Sequence, residues 1–376
     1  DIKNSLRPSL KRQMQLWWDV VSPSGYGYNW GRSQGLTSYL DTLEIVAFLA
    51  SHPEFRPAPL SQLAALYYQA WLWLKADFNN DTHLFRVFDS GRGNYSYITP
   101  TREWQQTTVA FGKSILANQQ FVKAMKAENI AKFSAPPDLP DVARFEYFSR
   151  TPDKQNGVWL VRQGRFQFAL PIVAGTKAAV ADYLPAPFGL TGFAAPVEEV
   201  YPSAVPFITL SDGASYAACD GADEITPSSD GKSLETINRK WAKIGGKPGE
   251  RLDIGLTSKV DWHFDGNRLT RTEELTAQRD VSIQSWRFAF PTTSADVKTV
   301  NGGDRSSYRL QDRDGNLTVT FDAPDTVKFE IVKTGDSKLG KGPIVGIPIH
   351  IVATSGPRNL AKGERIVWKL TLELDK

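Results

Sequence analysis

Hydrophobic positions in this chain change their spacing near residue 134. Before it they recur at helical intervals. Leu36, Tyr39, Leu40, Leu43, Val46, Ala47 and Ala50 form an i, i+3, i+4, i+7 stripe. A second stripe runs through Leu60, Leu63, Ala64, Tyr67, Tyr68, Trp71 and Leu74. Further helices are expected at about 5–21, 101–117 and 119–129, with Pro100, Thr101 and Glu103 marking a start. The apolar faces are wide, as in helices packed on two sides.

From Ser134 to Pro140 the sequence reads Ser-Ala-Pro-Pro-Asp-Leu-Pro, a linker signal. Beyond it the period is two. Segments opening at Arg144, Val158, Arg165 and Leu317 read as strands, and Asp265-Gly-Asn and Asp314-Gly-Asn sit between alternating runs as hairpin turns. The expected organisation is α+β and multidomain: helices over residues 1–133, a Pro-rich linker over 134–140, and a large antiparallel β-sandwich over 141–376. A closed α/α toroid needs about ten to fourteen helices. The helical part therefore reads as a partial toroid, its remaining helices expected upstream of Asp1 or on another chain. The alternative is a small helical cap on the sandwich. A chain that starts at Asp1 without Met fits a processed or truncated product.

Composition removes several classes. Net charge is +3 with scattered Lys and Arg, so nucleic acid is not an expected partner. No apolar run approaches the roughly eighteen residues of a membrane-spanning helix, and no membrane partner is expected. The single cysteine, Cys219, excludes an intrachain disulfide and a Cys-type zinc site, and reads as a buried small hydrophobe. Eleven Trp and twelve Tyr are many for the length and suit a carbohydrate-handling protein. The sequons at Asn80, Asn94 and Asn316 would matter only where N-glycosylation operates.

The chemistry concentrates in residues 25–33, Gly-Tyr-Gly-Tyr-Asn-Trp-Gly-Arg-Ser, between two helical patterns. Aromatic faces stack on pyranose rings, and Arg with Asn neutralises a uronate carboxylate. The competing reading is a loop packed by its own aromatics. A second segment, residues 90–97 (Ser-Gly-Arg-Gly-Asn-Tyr-Ser-Tyr), has the same chemistry and makes Arg92, Asn94, Tyr95 and Tyr97 substrate-binding candidates. Two such loops at successive helix ends would line one rim. His83, in the polar stretch after Phe78, is a candidate second base or carboxylate binder, against a solvated loop role.

The order of helical toroid, Pro-rich linker and antiparallel sandwich resembles the polysaccharide lyases of the heparinase, chondroitinase and alginate-lyase type. Tyr26-Gly-Tyr28 and Gly31-Arg32-Ser33 are similar to a Tyr-rich glycine loop and a Gly-Arg-Ser segment of the chondroitin and hyaluronan branch, here compressed into one loop. The His- and Asn-bearing segments that such lyases place earlier have no counterpart here. The resemblance implies β-elimination at a uronic acid, with no cofactor and an acidic polysaccharide or oligosaccharide as partner. Arg32 and Asn29 would neutralise the carboxylate, Tyr28 or Tyr26 would serve as base or acid, and Trp30 would stack on a neighbouring sugar. A secreted or periplasmic location is expected, with a cytoplasmic one left open.

Hydrolysis on the same architecture is the second reading, from Asp41, Glu44, Asp89 and Glu103, although Asp41 and Glu44 read first as capping or solvated residues. A non-catalytic glycan-binding protein is the third. Asp212, Asp220, Asp223, Glu224 and Asp230 form an acidic stretch that could hold a structural calcium ion, with Asp-Gly turns as its plainer explanation. His263 and His350 read as sheet residues. Arg162, Arg165 and Tyr183 are assigned ordinary surface roles, with reach over a cleft as the alternative.

Overall fold

A computed structural model describes residues 2–23, 25, 36–76, 78–81, 83–85, 100–130, 137–164, 166–172, 180–182, 193–195, 206–244, 246–247, 250–292, 296–299, 307–312, 315–324, 327–333 and 349–375. Among them are four α-helices: α1 (Ile2–Val20), α2 (Leu36–Ser51), α3 (Leu60–Ala76) and α4 (Pro100–Ala127). The two helices expected at 101–117 and 119–129 are one. The buried phase Thr107, Ala110, Ser114, Ala117, Phe121, Met125 runs through residue 118 without a shift.

Side-chain contacts orient the helices. Tyr67 stacks on Phe121 with ring centroids 4.0 Å apart, and Phe78, just past α3, meets Phe111 edge-on at 6.0 Å. So α3 and α4 are antiparallel. Lys113 Nζ lies 2.9 Å from Glu44 Oε2, and Arg56 joins the end of α2 to Glu128 at the end of α4 at 2.7 Å. So α2 and α4 are parallel, and their N-termini share one end of the layer with the C-terminus of α3. The outer side of α4 is apolar and open to solvent at Trp104, Val109, Phe111, Ile115 and Leu116. Between Trp104 and Phe121 the only charge is Lys113, which Glu44 holds.

Three main sheets follow, all antiparallel. The first, in spatial order, contains Glu224–Pro227, Ser233–Asn238, Leu256–Asp265, Arg268–Ala277, Arg365–Leu374, Gly315–Asp322, Ser307–Asp312 and Asp296–Thr299. The second runs Arg251–Leu252, Trp241–Lys243, Ser215–Ala217, Phe207–Leu210, Val281–Thr292, Ile349–Ser355 and Val327–Lys333, with Arg358–Leu360 beside Val281–Thr292. The third has Val142–Ser149, Asn156–Gln163 and Phe166–Ile172.

The first sheet alternates between buried and outward positions along its central strands Leu256–Asp265, Arg268–Ala277 and Arg365–Leu374. Its inner face is covered by both other sheets. Phe288 and Trp286 of the second pack on Trp368 at 4.6 and 5.4 Å, while Phe168 and Trp159 of the third pack on Trp262 at 5.3 and 6.4 Å. Of the two expected hairpins, Asp265 pairs Arg268 across Gly266-Asn267, with Gly266 at φ +60°. In the other, Gly315 and Asn316 already belong to the second strand, paired with Asp312 and Gln311, so the reversal falls earlier than the Gly-Asn dipeptide.

Val158-Trp-Leu-Val-Arg has no alternation of burial because its strand is covered on both faces. Trp159 and Val161 face the first sheet, while Val158 and Leu160 pack with Val20 and Leu16 of α1. Trp159 Nε1 donates to the carbonyl of Gly231 at 2.7 Å, and Gly231, at φ +72°, leaves only 2.0 Å between a would-be Cβ and the Ala143 carbonyl oxygen. Gly231→Ala is therefore expected to cost roughly 2–4 kcal/mol, combining left-handed strain with a backbone clash, read as a lowered urea midpoint at unchanged m.

Candidate functional site at one end of the helical layer

Of the ten candidate residues, Tyr26, Tyr28, Asn29, Trp30, Arg32, Arg92, Asn94, Tyr95 and Tyr97 lie outside the described residues, as do Asp89, Arg165 and Tyr183. Their neighbours along the chain are described. Residues 26–35 lead into the N-terminus of α2, and residues 86–99 lead into the N-terminus of α4. These two N-termini lie at the same end of the layer. Gly25 anchors the first segment: at φ +81° it sits so close to α3 that a Cβ would come within 2.7 Å of the Ala70 backbone nitrogen. Only glycine combines that dihedral with that approach.

His83 belongs to the same end. It occupies the turn between the short strands Phe78–Asn79 and Leu84–Phe85, directly after α3, with φ +57° and an exposed ring 6.4 Å from Phe78. An exposed imidazole in a two-stranded turn can reach a ligand at this end of the layer.

Asp41 lies less than two turns from the start of α2. It is neither a cap nor a freely solvated residue, because its side chain is half-buried. Burial pushes its carboxyl up, Lys113 pulls it down, and Glu44 raises it further. The effect on stability has a definite sign. Raised folded-state affinity for the proton means the ionised form is penalised in the fold, so the penalty is present at neutral pH and is relieved as pH falls through the raised folded value towards 3.8. Asp41→Asn is expected to raise Tm at pH 7, and the gain should disappear in acid below the unfolded carboxylate range, as thermal melts across pH will read. Glu44 differs, its carboxylate being engaged by Lys113 at 2.9 Å. The side chain of Glu103 is not among those described.

The remaining candidates sort by contact. Arg162 is not a surface residue: it is 1% exposed, and its guanidinium donates to the carbonyls of Pro140, Val21 and Trp18 and to Gln167 Oε1. Sequence reasoning missed this, though the unbroken apolar run before it was a signal that both faces of the strand are covered.

Asp223 is bound by Arg251 at 3.0 Å and accepts the backbone N–H groups of Arg239 and Lys240. Asp212 and Asp230 close their own turns through Ala214 N, Lys232 N and Ser228 Oγ. Among the described residues no three His, Cys, Asp or Glu side chains converge as a metal site. His263 lies on the exposed face of its strand, its Nδ1 2.8 Å from Ser233 Oγ, and Cys219 is buried. His350 pairs in the second sheet with Pro291 and Val332.

No protein-family model matches the chain, and no curated protein matches it in sequence. Among solved structures, a heparinase III is similar with a TM-score of 0.39 and 11% identity, over 97% of this chain and 54% of that one. A 4-alpha-glucanotransferase from Thermococcus litoralis is similar at 0.41 and 8%, over 90% and 49%. A structure described as a polysaccharide lyase is similar at 0.36 and 13%, over 57% and 33%. The chain thus spans about half the length of the first two structures.

Proposed function

We propose that this chain is part of a carbohydrate-active enzyme, a polysaccharide lyase that cleaves a uronate-containing glycan by β-elimination. The observation that carries this reading is the attachment of both Tyr-, Arg- and Asn-bearing segments to the parallel N-termini of α2 and α4, at the end where His83 is exposed. In the proposed reaction Arg32 and Asn29 pair with the uronate carboxylate and make the C5 proton acidic. Tyr28 or Tyr26 removes that proton, the C5 electron pair forms the C4=C5 double bond, and the C4–O bond breaks. The departing oxygen takes a proton from the other phenol or from His83. Trp30, Arg92, Asn94, Tyr95 and Tyr97 would hold flanking sugars.

The four helices are proposed to be part of a larger α/α toroid, with residues 134–140 as the linker to a sandwich domain and a secreted or periplasmic site of action. The uncharged apolar outer side of α4 supports further helices packing there. Glycoside hydrolysis is the second reading, favoured by the raised carboxyl of Asp41 near the same end. The test uses the longest natural polypeptide containing this sequence and a panel of uronate polysaccharides. The expected product is an unsaturated uronate absorbing in the near ultraviolet. New reducing ends without that absorbance would overturn elimination in favour of hydrolysis, and binding with neither product would leave a glycan-binding protein.

A further inference from the structure

We infer that Arg162, assisted by Gln167, is a positioning residue: it locks the C-terminal end of α1 to the third sheet and thereby sets where residues 26–35 are presented. The inference rests on the proposed role of that segment, but the lock itself is defined by contacts that do not involve it.

The last turn of α1 ends in carbonyls with no intrahelical donors. Here the donors come from the strands beneath. Arg162 Nη1 donates to Val21 O at 2.8 Å and Nη2 to Trp18 O at 3.3 Å, while Gln167 Nε2 donates to Val20 O at 2.7 Å. The same guanidinium holds Pro140 O through Nε at 2.9 Å and Gln167 Oε1 through Nη1 at 3.3 Å. One rigid fork therefore fixes three segments at a point: the helix end, the approach to the third sheet at Pro140, and the strand Phe166–Ile172. A cation at a helix C-terminus also complements the helix dipole. A second grip lies beside it, where Arg144 of strand Val142–Ser149 pairs with the buried Asp19, itself held by Gln15 Nε2 at 3.0 Å.

Beyond the lock, described residues are held in turn. Val21 and Ser22 are fully buried, Ser22 O accepts the Gly25 N–H at 2.9 Å, and Gly25 is wedged against Ala70 of α3. Val21 is thus referenced to the sheet and Gly25 to the helical layer. The chain that leaves Gly25 starts from a point fixed to both. An apolar residue at 162 could fill the volume between α1 and the sheet, but it could not supply donors to the Val21 and Trp18 carbonyls. This separates a positioning role from mere filling.

The experiment compares Arg162→Met, Arg162→Lys and Gln167→Leu with the native protein by hydrogen exchange resolved along the chain, and by kcat and KM on any polysaccharide the native protein turns over. Arg162→Met is expected to speed exchange in residues 17–22 about tenfold or more while the strands Leu256–Asp265 and Arg268–Ala277 keep their protection. It should lower kcat/KM about tenfold or more, with Arg162→Lys recovering part of both effects. Gln167→Leu, which removes the Val20 bond and keeps the volume, should give the same pattern more weakly, and it serves if Arg162→Met does not fold. Uniform loosening of the whole molecule, or unchanged exchange in residues 17–22, would overturn the inference. Local loosening in a protein with no glycan activity would uphold the lock and overturn the proposed function instead.

Discussion

Glu273→Leu is expected to destabilise the protein by about 3–5 kcal/mol, because it removes a carboxylate that pairs with a guanidinium buried in the core between the sheets. Arg271 and Glu273 occupy inward positions of the strand Arg268–Ala277, in phase with Leu269, Leu275 and Ala277, and are 1% and 0% exposed. Glu273 Oε2 accepts from Arg271 Nη1 at 3.1 Å and from Trp368 Nε1 at 2.7 Å, while Oε1 accepts from Ser258 Oγ at 2.6 Å. The guanidinium lies over Trp368 at 4.6 Å, Phe288 at 4.8 Å and Trp262 at 5.7 Å. Trp262 packs on the third sheet and Phe288 belongs to the second, so the pair sits where the two coverings of the first sheet meet.

Leucine at 273 would leave the arginine charged without its carboxylate, and the Trp368 and Ser258 donors without their acceptor. A double variant, Arg271→Met with Glu273→Leu, removes the charges together and should recover most of the loss, since a buried ion pair often does no better than apolar residues of equal volume. Urea midpoints for the two single variants and the double variant decide the matter. A Glu273→Leu midpoint close to native would mean that water or a rearranged partner compensates the arginine, contrary to the sealed geometry.

The same pair marks a limit of legibility in the sequence. Strand positions follow from alternation, and Leu269, Leu275 and Ala277 set a phase that places Arg271 and Glu273 inward. Composition argues the other way, because an Arg and a Glu two residues apart suggest a solvated edge. Only the neighbouring strands, which bring Ser258 and Trp368 within hydrogen-bonding distance, make the inward phase tolerable.

Arg162 shows a similar conflict: the apolar run before it identifies a strand, but which layer covers each face depends on α1, far earlier in the chain. Periodicity did better where one face is uniform, as in α2 and α3 and in the Asp265 hairpin. In α4 the division expected between 117 and 119 is denied by the continuous buried phase. For the candidate site, the sequence offers residue types and no placement. Residues 25–33 announce stacking and carboxylate pairing through their chemistry, but only Gly25, Leu36, His83 and Pro100 tie the two segments to one end of the layer.

On the proposed reading, Tyr28→Phe or Tyr26→Phe is expected to lower kcat/KM by about 10²–10⁴-fold with Tm unchanged, since removing a positioned proton-transfer group costs on that order. The chemistry makes the demand specific. A C5 proton beside an ionised carboxylate is poorly acidic, and abstraction builds further negative charge on the same group. On that reading Arg32 would have two tasks: pairing bidentately with the carboxylate, and favouring the phenolate of a tyrosine in the same segment, which in isolation ionises at about pH 10.

These tasks separate in the pH profile. If Arg32 only binds the carboxylate, Arg32→Ala raises KM and leaves the profile's shape intact. If it also lowers the tyrosine, the ascending limb of kcat/KM moves alkaline, towards the free phenol, and raised pH rescues part of the activity. Arg32→Lys keeps the charge but loses the planar fork, so it should retain the native pH profile while still weakening carboxylate binding. The alkaline shift in Arg32→Ala is the expected outcome. Full activity in both Tyr→Phe variants would remove the tyrosines from the reaction altogether and leave residues 25–33 as a stacking surface.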